Sequence, residues 1–277
     1  MATTTTADRW LRTRTPRPSA ELTLVCLPHA GGSASYYRDW GARLPASVET
    51  RVVQYPGREE RLVDAPVDDM AAMADVLTDV LAPLFDRPVV LFGHSMGAAI
   101  AYEVTRRCEE RGRPPALLVA SGFAAPHRRA PRDLHTRDDD ALVAEITRVS
   151  GDDAAALADP DLRELLLPTI RADYRLIERY TPTAPDLMGT DAMGTDSMST
   201  DLLAAAPVRT PLVVYRGDAD PDVDHERGEA WRELTASGEL REHRAFPGGH
   251  FYFRHDPTAL LGAISAHLGR VRPVTTH

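Results

Sequence analysis

Short apolar runs alternate along this chain with stretches whose apolar residues recur every three to four positions. The runs occupy 22–27, 51–54, 89–92, 117–121, 212–215 and 243–246, and most are rich in Val and Leu, as expected of strands. Helical periodicity marks 36–44, 69–84, 98–111, 226–235 and 258–268. A strand that shows no polar alternation, such as LTLVCL, is buried on both faces. Strands of that kind joined through helices imply crossover units on a mostly parallel sheet.

One interval breaks the rhythm. From about 126 to 207 there is no convincing strand, but there are two helical stretches. DDDALVAEITRVSG opens with acidic residues that suit a helix N-terminus and stops at Gly151. DPDLRELLLPTIRADYRLIERY carries Leu162, Leu165, Leu166, Ile170, Tyr174 and Ile177 near helical spacing, with a kink expected at Pro168. An insertion between two late strands would lie over the C-terminal edge of the sheet, so 126–207 is assigned as a helical lid. Within it, LMGTD-AMGTD-SMSTD at 187–201 repeats every five residues, a period that fits neither strand nor helix and reads as a flexible low-complexity loop. The organisation expected is therefore a core of 21–125 and 208–270, a flexible segment at 1–20 anchored only by Trp10 and Leu11, and a tail at 271–277.

Composition narrows the function classes. The 277 residues, 43% hydrophobic, are enough for one large α/β domain without a metal or disulfide staple. A formal net charge of −9 argues against nucleic acid as a partner. Cys26 and Cys108 sit in apolar or helical contexts, as buried small hydrophobes do. No apolar stretch reaches the roughly 20 residues of a membrane span, and MATTTTADRW has no basic-then-apolar leader, so a cytoplasmic protein away from the membrane is expected. A monomer without metal or cofactor is a separate expectation.

The chemistry is carried by LFGHSMGAAIAYEV. Gly93-His94-Ser95-Met96-Gly97 matches Gly-x-Ser-x-Gly, with VVLF before it and an amphipathic helix pattern after it. Such a corner exposes a serine at its tip, and its glycines are needed where a Cβ would strike the neighbouring strand and helix. In that helix Ala98, Ala101, Tyr102 and Cys108 are expected to face inward, Arg106, Glu109 and Glu110 outward, with Gly112 as the stop. Ser95 as a nucleophile needs a base and an orienting acid, which follow it in the order acid, then His. His250, in the Gly-rich FPGGHFYF near the C-terminus, is preferred as base over His255, and His29 and His94 are read as supporting groups. The strand LVVY ends in RGDADP; Gly-x-x-Asp spacing favours Asp220 as the acid, with Asp218 as a turn-capping alternative. For the oxyanion, the backbone N–H groups of Met96 and of Ala30, in PHAGGSASYY, are the expected donors.

Taken in order, PHAGGSASYYRDW, QYPGREERL, LFGHSMGAAIAYEV, LLPTIRADYRL, RGDADP and FPGGHFYF resemble the type II thioesterases of polyketide and nonribosomal peptide pathways, from about Trp10 to Leu268. The departure is the 187–201 repeat, longer than the family's usual linker. The resemblance implies an α/β-hydrolase fold: a mostly parallel central sheet flanked by helices, with a helical lid. It matches Ser95, Asp220 and His250 to the catalytic triad and Ala30 and Met96 to the oxyanion positions. It also implies an editing activity that removes aberrant or stalled acyl groups from the phosphopantetheine arm of acyl or peptidyl carrier proteins, acyl-CoA being another substrate class. A small-molecule carboxylesterase or lipase shares the same elbow, and a catalytically dead binding protein is the alternative from another class, although no triad position is missing. His127, Arg128, Arg129 and Arg132 form a basic group near the lid entrance that suits either carrier contact or simple solvation.

Overall fold

In the computed structural model, residues 9–150, 157–182 and 207–271 are described. Seven strands, β1 (Leu11–Arg12), β2 (Leu22–Leu27), β3 (Val48–Val53), β4 (Val89–His94), β5 (Leu117–Ser121), β6 (Leu212–Gly217) and β7 (Glu242–Phe246), form one sheet in the order β1-β3-β2-β4-β5-β6-β7. Strand β1 runs antiparallel to β3, and every other neighbouring pair is parallel. The α-helices are α1 (Trp40–Arg43), α2 (Met70–Leu81), α3 (Met96–Glu110), α4 (Asp139–Ser150), α5 (Pro160–Arg179), α6 (His225–Glu229) and α7 (Thr258–Leu268). This is the α/β-hydrolase architecture.

The apolar runs become strands because both faces of the sheet are covered. In β2, Leu22, Leu24 and Cys26 join Trp40 and Leu260 in one core, while Val25 and Leu27 join Leu77 of α2 and Ile100 of α3 in the other. Two-residue alternation thus feeds two separate cores. Cys26 and Cys108 are free and buried, and burial raises the Cys108 thiol to about 11.

Two expectations are corrected. The segment at 9–20 is held along the sheet edge well beyond Trp10 and Leu11: Arg17 donates to the carbonyls of Leu44 and Val48 at 3.0 Å, and Ala20 is buried. Helix α3 is not amphipathic in the expected sense, because Arg106 and Glu109 are buried. Glu109 accepts the N–H groups of Arg209 and Thr210 at 3.0 and 2.6 Å, and Arg106 pairs with Glu103, which also accepts Tyr180 Oη–H at 2.7 Å. Of the three charged residues expected to face outward, only Glu110 is exposed; Arg106 and Glu109 lie where other segments cover the helix, so those charges find partners inside. Helix α5 contains Pro168 within its range of Pro160–Arg179.

Helices α4 and α5 lie between β5 and β6 in the chain, and Leu142, Leu157, Leu167 and Ile170 give them a small core of their own. Asp159 caps α5 by accepting the N–H groups of Asp161 and Leu162, with Pro160 at the first helical position. The 187–201 repeat, residues 1–8 and residues 272–277 lie outside the described residues. Among the described residues no helix is long and apolar enough to cross a membrane.

Candidate active site

Ser95 stands between β4 and α3 with φ 52° and ψ −122°, a left-handed conformation that costs a non-glycine residue strain. Two glycines make the corner fit. A Cβ on Gly93 would lie 2.1 Å from the carbonyl oxygen of Gly97, and one on Gly97 would lie 2.0 Å from that of Leu27. The corner is pinned by Ser95 N–H donating to the Ser121 carbonyl at 2.8 Å. Met96 opens α3, so its N–H belongs to the helix N-terminus and has no partner within the helix.

The other expected residues come from separate strand ends. His250 follows β7, and its Nδ1 lies 2.8 Å from Asp220 Oδ2, both side chains being buried. Nδ1–H donating to the carboxylate leaves Nε2 with the lone pair, the tautomer a general base needs. Asp220 Oδ1 accepts the N–H of Asp222 at 2.9 Å, which fixes the carboxylate. Asp218 does a different job: its Oδ1 accepts the N–H of Gly248 at 2.9 Å and stitches the β6 end to the histidine loop. Ser95, Met96, Ala30 and His250 line one cavity of about 190 Å³, together with Arg129 and Tyr174. The structure therefore brings the five predicted residues together, four around the cavity and Asp220 behind His250. His255 is exposed and faces a different recess.

Beneath the cavity lies a layer of imidazoles. His94 is fully buried, its ring 5.0 Å from that of His250, and its Nδ1 lies 3.0 Å from Ser121 Oγ, which in turn lies 2.8 Å from Tyr252 Oη. Burial, then the neighbouring His250 and His29, holds His94 well below the usual histidine range. Burial, with His250, Arg58 and Arg254 nearby, likewise lowers His29 to about 3. Both rings are neutral neighbours to His250.

The basic group at the lid entrance is mostly neutralised. Glu233 pairs with both His127 and Arg128, and Arg132 pairs with Glu145 and Asp222. Arg129 donates to the Ile177 carbonyl at 2.8 Å and lies over the Phe123 ring, where burial lowers it to about 10. A second cluster, His225, Glu229 and His243, gathers three groups of the kind that bind metals. Its two rings are stacked 8° from parallel, however, so their lone pairs do not converge, and Glu229 already bonds His243 Nδ1.

Two residues not singled out from sequence touch the oxyanion loop. Asp173 of α5 accepts the N–H of Gly31 at 2.7 Å, and Arg58 donates to the carbonyl of Gly32 at 2.9 Å. Their signals lay inside QYPGREERL and LLPTIRADYRL, but no spacing rule joins residues so far apart.

The chain matches a family model described as a thioesterase domain over residues 22–268. A probable cadicidin biosynthesis thioesterase from Streptomyces griseus is 42% identical over 96% of this chain, which spans 66% of that protein's length. Thioesterase PikA5 from Streptomyces venezuelae is 35% identical over 94% of this chain and 85% of its own length. Among solved structures, the type II thioesterase BorB from the borrelidin biosynthetic cluster superposes with a TM-score of 0.78 at 36% identity, covering 95% of this chain and 99% of that one. YbtT, a type II thioesterase from the yersiniabactin NRPS/PKS pathway, gives 0.79 at 29% identity over the same shares.

Proposed function

The chain belongs to the thioesterase family, and on that premise we propose that it is an editing type II thioesterase acting on acyl groups carried as phosphopantetheine thioesters by the carrier proteins of polyketide or nonribosomal peptide assembly. The observation that carries this reading is the strained Ser95 corner sharing a cavity with His250, whose Nδ1 is held 2.8 Å from Asp220.

In this mechanism His250 Nε2 takes the proton of Ser95 Oγ as that oxygen attacks the thioester carbonyl. Negative charge developing on the substrate oxygen is met by the N–H groups of Ala30 and Met96, the latter aided by the helix N-terminus. The carbon–sulfur bond breaks and the thiol leaves with the proton from His250. Water, deprotonated by the same imidazole, then hydrolyses the acyl-enzyme. Asp220 keeps the imidazole in one tautomer and stabilises its cation throughout. The neutral His94 and His29 place no competing positive charge beside it.

A cavity of about 190 Å³ is smaller than the roughly 300–1,000 Å³ of drug-sized sites and suits a short acyl group. The test is turnover on carrier proteins loaded with acetyl, propionyl, longer acyl and aminoacyl groups, run with wild type and Ser95→Ala. Short chains are expected to turn over fastest, and Ser95→Ala to lose activity by on the order of 10⁶-fold. Retained hydrolysis in Ser95→Ala removes the triad reading, and a preference for simple oxygen esters removes the thioesterase one.

A further inference from the structure

The oxyanion loop after β2 is a glycine turn with few side chains to hold it, yet it is held. Asp173 of the lid helix, 1% exposed, makes a two-pronged ion pair with Arg58: Oδ1 lies 2.8 Å from Nη2 and Oδ2 lies 2.9 Å from Nη1. The same Oδ2 accepts the N–H of Gly31, and the same Nη1 donates to the carbonyl of Gly32. The pair thus grips the turn on both sides, at the N–H entering Gly31 and the C=O leaving Gly32. Ala30 is the residue immediately before this grip. Gly31 has φ +74°, and a Cβ there would lie 3.1 Å from Ile170 Cγ1, so the lid helix also packs directly on the turn. One turn of α5 supplies a third contact, Thr169 Oγ1–H donating to the Gly57 carbonyl at 2.7 Å, beside Arg58 in the loop after β3.

We propose that Arg58 and Asp173 are positioning residues for the oxyanion hole, which makes the hole's geometry depend on the seating of the lid helix. The inference rests on the reading above, in which the Ala30 N–H meets the developing oxyanion. Turning the Ala30–Gly31 peptide would break a charge-assisted hydrogen bond inside the protein, so the plane that follows the Ala30 donor is fixed. A buried ion pair adds little net stability compared with an apolar filling, so stability alone gives no reason for one here. Charge assigns the partners unequal parts. Asp173 without Arg58 would leave a bare carboxylate next to the place where the substrate oxygen becomes negative, opposing catalysis. Arg58 cancels that charge as well as anchoring the turn.

The experiment measures steady-state hydrolysis of propionyl-pantetheine by wild type, Arg58→Gln, Asp173→Asn and the double variant, each well below its own Tm. Arg58→Gln is expected to lower kcat by about 10- to 100-fold with KM within about twofold, since a donor moved by a fraction of an ångström is lost mainly from the transition state. Asp173→Asn should fall less. The double variant, again neutral, should recover at least about threefold over Arg58→Gln, a reversal that mere loss of packing would not produce. Wild-type kcat in Arg58→Gln, or a double variant no better than it, overturns the proposal. If Arg58→Gln does not fold, the double variant must still show reduced kcat at unchanged KM, and wild-type kcat there overturns it equally. Labelling of Ser95 by a fluorophosphonate keeps the two readings apart. A wild type that is not labelled at Ser95 ends the acyl-enzyme reading, whereas a labelled, active wild type with unaffected variants ends only this inference.

Discussion

Asp220 Oδ2 lies 2.8 Å from His250 Nδ1, while Asp218, two residues earlier, spends its carboxylate on the N–H of Gly248. The two aspartates therefore separate cleanly by mutation. Asp220→Asn should lower kcat by about 10³–10⁴-fold, because an amide reverses the preferred tautomer of the imidazole and cannot stabilise its cation. Asp218→Asn keeps an acceptor for Gly248 and should retain activity within about tenfold. Propionyl-pantetheine hydrolysis by both variants checks the pair.

Gly97→Ala tests the corner itself. The added Cβ would meet the Leu27 carbonyl at 2.0 Å, a backbone atom at the end of β2 that cannot swing aside. A loss of more than about 3 kcal/mol is expected, read as a shift in urea midpoint, because strand and helix must part to admit the methyl.

The imidazoles of His94, fully buried, and His29, partly exposed, predict a pH dependence of stability. His94 is held well below its ordinary value and His29 is lowered to about 3, so the folded state refuses protons that the unfolded chain accepts below about 6.5. Stability from these groups is complete above that pH and is lost as pH falls toward 3, by up to about 1.4 kcal/mol per unit for each. Asp222, held low by Arg132 and Arg148 against the opposing effect of burial, contributes above its unfolded value near 3.8 and loses that contribution only at lower pH. The window from pH 7 to 5 thus belongs to the histidines. Urea midpoints of wild type should fall across it, and those of His94→Gln should fall less steeply.

At the lid entrance, Arg128 is neutralised by Glu233, so Arg128→Ala should leave carrier-dependent turnover within about twofold. Arg129→Gln removes the guanidinium that holds the Ile177 carbonyl and lines the cavity, and a loss of about tenfold in kcat/KM is expected. Turnover of the same acyl-carrier protein by the two variants, at low and high salt, checks this contrast.

The strands were legible because a layer covered on both faces needs near-continuous apolar runs, and β2 and β5 sit where such runs begin and end. The serine corner was legible because its glycines answer a local steric demand. Strand β1 was not, since its two residues become a strand only through pairing with Val52 and Val53. Charged positions on α3 misled for a related reason: amphipathicity presumes a wet side, and the partners that bury Glu109 arrive from Arg209 and Thr210. Arg58 and Asp173 lie 115 positions apart, and no local pattern announces a contact of that reach.

Thr169, Ile170 and Asp173 fasten one turn of α5 to the loops after β2 and β3. That turn sets a boundary for exchange of parts between relatives. A chimaera whose donor segment stops before residue 169 leaves the recipient's fastening whole and alters only the roof above the acyl group. One that crosses over within 169–173 must import the matching Arg58 loop as well, so these two segments travel as a single unit of recombination.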